Sequence, residues 1–285
     1  MNSNIKLLRG AVVTVTVVLG LAGCGGQSAT GPASTSGPGA PAAGSADSSS
    51  GQGGSTARFA IDGDTLYTIS GASLKLFDIS DAADPKSGVV VRVAEDIETL
   101  FVVGDYLFIG AETGMHIYDN TLAGFPTYVS SLVHARSCDP VIVSGSYAYL
   151  TLRGGATCGG FSNELEIIDV SDIQNPKLLG IFPMSAPRGL GMLNDKLYVC
   201  DEPGLSIFAA AESPNLALLS VRNDIRCEDV IPHNDVLITT GAGAVSQFKP
   251  DESGLTLLSA ITPDQDGAAT SAQKPLAETE HGAYQ

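Results

Sequence analysis

The sequence predicts an all-β chain, a β-propeller of about five four-stranded blades, and three observations predict it. First, a turn pair followed by a β-rich run recurs five times: Gly63-Asp64 before Leu66-Tyr67-Thr68, then Gly104-Asp105, Gly145-Ser146, Asn194-Asp195 and Asn234-Asp235, each before a similar run. Second, a strand-like stretch follows each turn in step: Leu74 to Phe77, Met115 to Tyr118, Leu165 to Ile168, Leu205 to Phe208 and Val245 to Phe248, with Asp78, Asp119 and Asp169 closing the first three. Third, 33 Gly with no Trp and few aromatics suit many short strands joined by tight turns. A period of about 40 residues with several strands per unit is the mark of a propeller or a related β-array.

The elements follow in chain order. Residues 1–23 read as a signal peptide and are left out of the fold. Lys6 and Arg9 form its charged start, and Ala11 to Leu19 its apolar stretch, too short to span a bilayer comfortably. It ends in Leu21-Ala22-Gly23-Cys24, which resembles a bacterial lipobox. That resemblance implies cleavage before Cys24 and acylation of its sulfur and amine, giving a membrane partner through the lipid. Gly25 stands where an Asp would favour inner-membrane retention, so the expected location is the bacterial cell envelope, at the outer membrane. Residues 24–55 are almost wholly Gly, Ser, Ala, Pro and Thr and cannot bury a core. Such a linker reaches roughly 30 Å. Residues 56–262 form the propeller, and 263–285 read as a polar tail.

Within the array, the second unit divides into strands near Glu98 to Val103, Tyr106 to Ala111, Met115 to Tyr118 and Thr127 to Val133. Turns such as Asp78-Ile79-Ser80-Asp81 with Asp84-Pro85, and Asp169-Val170-Ser171-Asp172 with Asn175-Pro176, join third strands to fourth. Asp and Ser there bond their own backbone and Pro sets φ. The carboxylates do not follow the order of a calcium loop. The third unit alone carries an insertion, Gly154 to Ser162. Five units close a ring, the alternative being a sixth blade assembled from both ends; closure removes exposed sheet edges.

Leu165-Glu166-Ile167-Ile168-Asp169-Val170-Ser171 with Asn175-Pro176 resembles the LVIVD repeat, as does Leu74 to Pro85 and, in part, Met115 to Asp119. Gly53-Gly54-Ser55 with Ala57-Arg58-Phe59, and Cys138-Asp139-Pro140 with Cys158-Gly159, are similar to lipoprotein members of that family. The resemblance spans about Gly53 to Ile261 and implies an envelope-located propeller without implying an activity. The fourth and fifth units lack its Asp.

Four cysteines remain besides Cys24. An even set in an exported chain points to disulfides. The first choice is Cys138 with Cys158, because Cys158 lies in the inserted loop just past the strand that returns beside Cys138. Cys200 and Cys227 fall on the same rim of neighbouring blades and pair only if their Cα atoms lie within about 7 Å. Their spacings do not suit a four-cysteine zinc site.

A net charge of −16 argues against a nucleic-acid partner. Aligned by their turns, the units place Glu98, Asp139, Arg188 and Glu228 near the start of the innermost strand, where they would face one another at one mouth of the channel. Three carboxylates and one guanidinium there either satisfy one another in a hydrated channel or hold a cation or polar ligand. No GxSxG elbow, HExxH or Walker loop is present, and His116, His134, His233 and His281 do not cluster by spacing. The expectation is a binding or interaction module, with another envelope or surface protein as a further partner and no cofactor. The alternative is an enzyme or metal-dependent lyase using the channel carboxylates.

Overall fold

A computed structural model describes residues 54–122, 124–134, 140–155, 160–210, 215–251 and 254–262. Residues 1–53, which include the expected signal peptide, Cys24 and most of the expected linker, and the expected tail from 263 lie outside them. Twenty strands make five four-stranded antiparallel sheets, each in sequential order, and the fold is a five-bladed propeller. Blade 1 contains β1 (Phe59–Asp62), β2 (Thr65–Ser70), β3 (Ser73–Asp78) and β4 (Lys86–Arg92). Blade 2 contains β5 (Ile97–Val103), β6 (Tyr106–Ala111), β7 (Gly114–Asp119) and β8 (Thr127–Val133), within a residue of the strands read from sequence. Blade 3 contains β9 (Val141–Ser144), β10 (Tyr147–Arg153), β11 (Asn163–Asp169) and β12 (Lys177–Pro183). Blade 4 contains β13 (Leu190–Leu193), β14 (Lys196–Cys200), β15 (Leu205–Ala209) and β16 (Ala217–Arg222). Blade 5 contains β17 (Asp229–His233), β18 (Val236–Gly241), β19 (Ala244–Asp251) and β20 (Gly254–Ile261). No described residue is helical, so none forms a helix able to cross a membrane.

The recurring turn works through backbone chirality. Its first residue, Gly63, Gly104, Gly145, Asn194 or Asn234, has φ between 51° and 58°. That region costs Gly nothing and Asn little. A second repeating feature is a register shift between the third and fourth strands of every blade, at Lys75/Phe77, Ile117/Tyr118, Ile167/Ile168, Ile207/Phe208 and Gln247/Phe248. Such bulges increase strand twist. The repeat Asp then closes an Asx turn. Asp78, Asp119 and Asp169 accept from the amides of Ser80, Thr121 and Ser171 at 2.9, 2.8 and 2.8 Å. The side-chain hydroxyls of Ser80, Thr121 and Ser171 first, and these amides second, hold all three carboxyls below the usual range. The repeat carboxylates therefore serve the turn itself. Blades 4 and 5 place Ala209 and Lys249 at the corresponding position.

Two columns of side chains on the second strands fasten each blade to its neighbours. Leu107, Ala148, Leu197 and Leu237 are fully buried in clusters shared with the preceding blade. Tyr67, Phe108, Tyr149 and Tyr198 are buried in clusters shared with the following one. The columns fail at one place. Leu66 and Ile238, their members at the junction of blades 5 and 1, are only partly buried. Among the described residues no apolar cluster bridges those two blades.

The ring is completed there by polar contacts at its inner edge. The lead-in to β1 crosses four blades in four residues. Ser55 Oγ accepts from Leu190 N of blade 4 at 2.7 Å and donates to Asp229 Oδ1 of blade 5 at 3.1 Å. Thr56 Oγ1 donates to Asp229 Oδ2 at 2.6 Å. Ala57 O then accepts from Leu100 N of blade 2 at 3.0 Å, and Arg58 O from Ile69 N of blade 1 at 2.9 Å. Gly54 and Gly189 flank the Asp229 carboxylate so closely that a Cβ on either would run into it.

Candidate functional site

In an antiparallel blade the start of the first strand and the end of the second share one rim. This rim surrounds a recess of about 610 Å³ at one mouth of the channel, and every blade contributes to its wall. Thr56 and Arg58 come from the lead-in, Glu98 and Thr99 from β5, and Arg153 from the end of β10. Pro187 and Arg188 precede β13, while Glu228, Asp229 and Thr240 come from blade 5. The volume lies in the range of small-molecule sites, roughly 300–1,000 Å³.

Three of the four residues aligned from sequence meet here: Glu98, Arg188 and Glu228. Glu98 lies on β5, whereas Arg188 and Glu228 sit just ahead of β13 and β17 rather than on them. Asp139, with Cys138 and Cys158, lies outside the described residues. Among the described residues Arg58, Arg153 and Asp229 share the recess with Glu98, Arg188 and Glu228, so its lining carries more guanidinium groups than the aligned column alone. The inner-strand column could not reveal the arginines, since one belongs to the lead-in and the other to a second strand. Arg153 was legible as the last residue before the inserted loop, on the rim that receives the inner-strand starts.

The charged groups are held differently. The Arg188 guanidinium pairs with Glu228 and lies 3.5 Å from Glu202, with 22% of its side chain exposed. Its backbone is fastened as well: Arg188 N donates to Cys200 O at 2.8 Å and its carbonyl accepts from Thr151 Oγ1. Gly189 N donates to Glu228 O at 2.9 Å, joining the walls of blades 4 and 5. A disulfide between Cys200 and Cys227, with Cα atoms 5.5 Å apart, crosses the same junction. This is the pair that sequence reasoning ranked second. Its partners come from different blades, and the rim backbones approach because the end of β14 lies beside the segment entering β17.

Asp229 is 6% exposed, and burial pushes its carboxyl above the usual carboxylate range, opposed by hydrogen bonds from Thr56 and Ser55. Its acceptors are used within the seam, including Val230 N at 2.9 Å. On the far wall the inserted loop begins at Gly154, whose amide donates to Asn163 Oδ1 at 3.2 Å. Gly155 N donates to Gly160 O at 2.8 Å, drawing the described ends of the loop together. Phe161 beside them is fully exposed. Among the described residues no group of His, Cys, Asp and Glu is arranged to hold a metal ion.

Comparison with known proteins places the LVIVD repeat on residues 135–183, which cover blade 3. No curated protein matches the sequence. Among solved structures, the fold is similar to a functionally unknown protein from Desulfotomaculum acetoxidans, with a TM-score of 0.60, 12% identity, and 71% of this chain and 68% of that one covered. It is similar to the periplasmic gluconolactonase PpgL of Pseudomonas aeruginosa, with a TM-score of 0.55, 16% identity, and 70% and 67% covered. It is also similar to AztD of Citrobacter koseri, with a TM-score of 0.53, 12% identity, and 77% and 73% covered. At these identities the likeness establishes the fold.

Proposed function

We propose that this chain is a lipid-anchored envelope protein whose propeller is a binding module, with its site in the recess at the channel mouth. The observation that carries the reading is the convergence of all five blades on that one recess. Its wall at blades 4 and 5 is pre-formed: the disulfide, the lead-in hydrogen bonds and the Arg188–Glu228 pair all fasten it there. Pre-organisation reduces the ordering cost of binding. The lipobox at Cys24 and the linker to residue 55 support the anchored half of the proposal, since an acylated Cys and a flexible tether would hold such a module off a bilayer.

The enzymatic alternative draws on the gluconolactonase name of one structural neighbour and on the carboxylates of the recess. It has less support, because those carboxylates are already engaged. Glu228 pairs with Arg188, Asp229 closes the seam, and Glu98 is not free.

The test is native mass spectrometry of the full chain, extracted in mild detergent from its own envelope. A small molecule retained by the unaltered chain and lost in Thr240→Trp, which fills the recess, is the expected result. Equal retention in both, with Thr240→Trp still melting cooperatively, contradicts the assignment. Cys24→Ser tests the anchor, and release of that variant from the membrane fraction is expected.

A further inference from the structure

Among the described residues three guanidinium groups and three carboxylates line the recess, and they do not cancel pair by pair. Arg188 is neutralised by Glu228 and Glu202. Asp229 is turned into the seam, where Ser55 and Thr56 satisfy it. Glu98 is likewise engaged. Arg58 and Arg153, by contrast, make no ion pair among the described residues. In a chain with 31 acidic and 15 basic Lys and Arg residues, carboxylates are the commoner partner by two to one, yet two arginines of one cavity have none among the described residues. They come from separate elements, the lead-in of blade 1 and the end of β10, so no local turn chemistry brings them there.

We propose that the recess binds a small organic oxyanion carrying two acidic groups, taken up by Arg58 and Arg153. The inference rests on the reading of the recess as the binding site and adds the chemical class of its ligand. A guanidinium presents a planar fork that matches a carboxylate or a phosphate face with two parallel hydrogen bonds. Two such forks with no ion-pair partner among the described residues make a divalent anion a fitting complement. Thr240 lines the same recess and adds a hydroxyl to its wall. Glu98 and Glu228 disfavour a third acidic group on the ligand, because like charges in a recess of this size repel. Metal cations are disfavoured by the same two arginines.

Isothermal titration of the full chain in detergent tests this, with malonate and inorganic phosphate as the oxyanions, glucose as a neutral probe and calcium as a cation. Saturable binding of malonate or phosphate is expected, weakened roughly tenfold or more in Arg58→Gln and in Arg153→Gln, which is the usual size of a lost charge-assisted hydrogen bond. Arg92→Gln, a substitution in an exposed pair with Glu95, is expected to bind as the unaltered chain does. Malonate alone assigns a dicarboxylate, phosphate alone a phosphate-bearing ligand. Oxyanion binding unchanged in both recess variants overturns the assignment of these arginines. Binding of glucose or calcium, reduced by Glu98→Gln while oxyanions do not bind, overturns the oxyanion class and leaves the recess as the site. Binding of none of the four overturns the proposal, and the retained-ligand experiment with Thr240→Trp then judges the recess separately.

Discussion

Thr56 Oγ1 donates a 2.6 Å hydrogen bond to Asp229 Oδ2 across 173 residues of chain, joining the segment that enters the first blade to the first strand of the last. Four of the five blade junctions are apolar; this one is closed by a buried carboxylate and two hydroxyls. Removing that carboxylate leaves Ser55, Thr56 and Val230 short of an acceptor. Asp229→Ala is expected to destabilise the propeller by about 1–3 kcal/mol in urea unfolding, the usual cost of orphaned buried donors.

The same residue carries a pH signature. Because burial raises the Asp229 pKa above its unfolded value, its contribution is complete below the unfolded pKa of about 3.9 and is lost as pH rises through the folded value. The stability of the unaltered chain relative to Asp229→Asn is therefore expected to increase as pH is lowered toward 4. Urea titrations of both proteins across this range check the sign.

His116 on β7 behaves oppositely. Burial first and the neighbouring His134 second hold its pKa below the usual imidazole value, and its Nε2 is buried without a hydrogen-bond partner among the described residues. A depressed histidine contributes stability above its unfolded pKa of about 6.5, and that stability is lost as pH falls toward the folded value. Relative to His116→Gln, the unaltered chain is expected to lose stability between pH 7 and 5. The two melting curves measured against pH provide the comparison.

The disulfide closes a loop with a sequence separation of 27 and lies beside Arg188 and Glu228. Chain-entropy reasoning assigns it about 3–4 kcal/mol. Cys200→Ala with Cys227→Ala is expected to lower stability on that scale. It is also expected to loosen the blade 4 and blade 5 walls of the recess, seen as faster amide exchange at Arg188 and Gly189.

Local opening has a predicted address. Hydrogen exchange is expected to be fastest in β18, β19 and the lead-in at the loosely packed seam, and slowest in β6, β10 and β14, whose apolar columns are buried on both sides. Equal protection of all five second strands would show that the seam is as tightly held as the other junctions.

The blades were legible in the sequence because their turns demand a left-handed first residue, which only Gly63, Gly104, Gly145, Asn194 and Asn234 supply at the needed spacing. Glu98, Arg188 and Glu228 were legible for the same reason: aligning the turns aligns the rim. Asp229 was missed although it adjoins Glu228, since strand alternation sends neighbours in different directions and only one of the two was placed in the channel column. The loose seam had no signal at all. Leu66 occupies the same motif position as Leu107, and the difference in burial arises from what the adjacent blade offers, which a repeat cannot encode. The bridge between Cys200 and Cys227 was the harder of the two pairs to read, because its partners lie on different blades and only the closed ring brings their rims together.

The proposed oxyanion site is tested most directly by a crystal structure of the full chain purified from its native cells at low salt, so that any bound molecule is retained. Density in the recess contacting Arg58 and Arg153 is the predicted result. A recess filled only with water, with the retained molecule held elsewhere on the propeller, would contradict it.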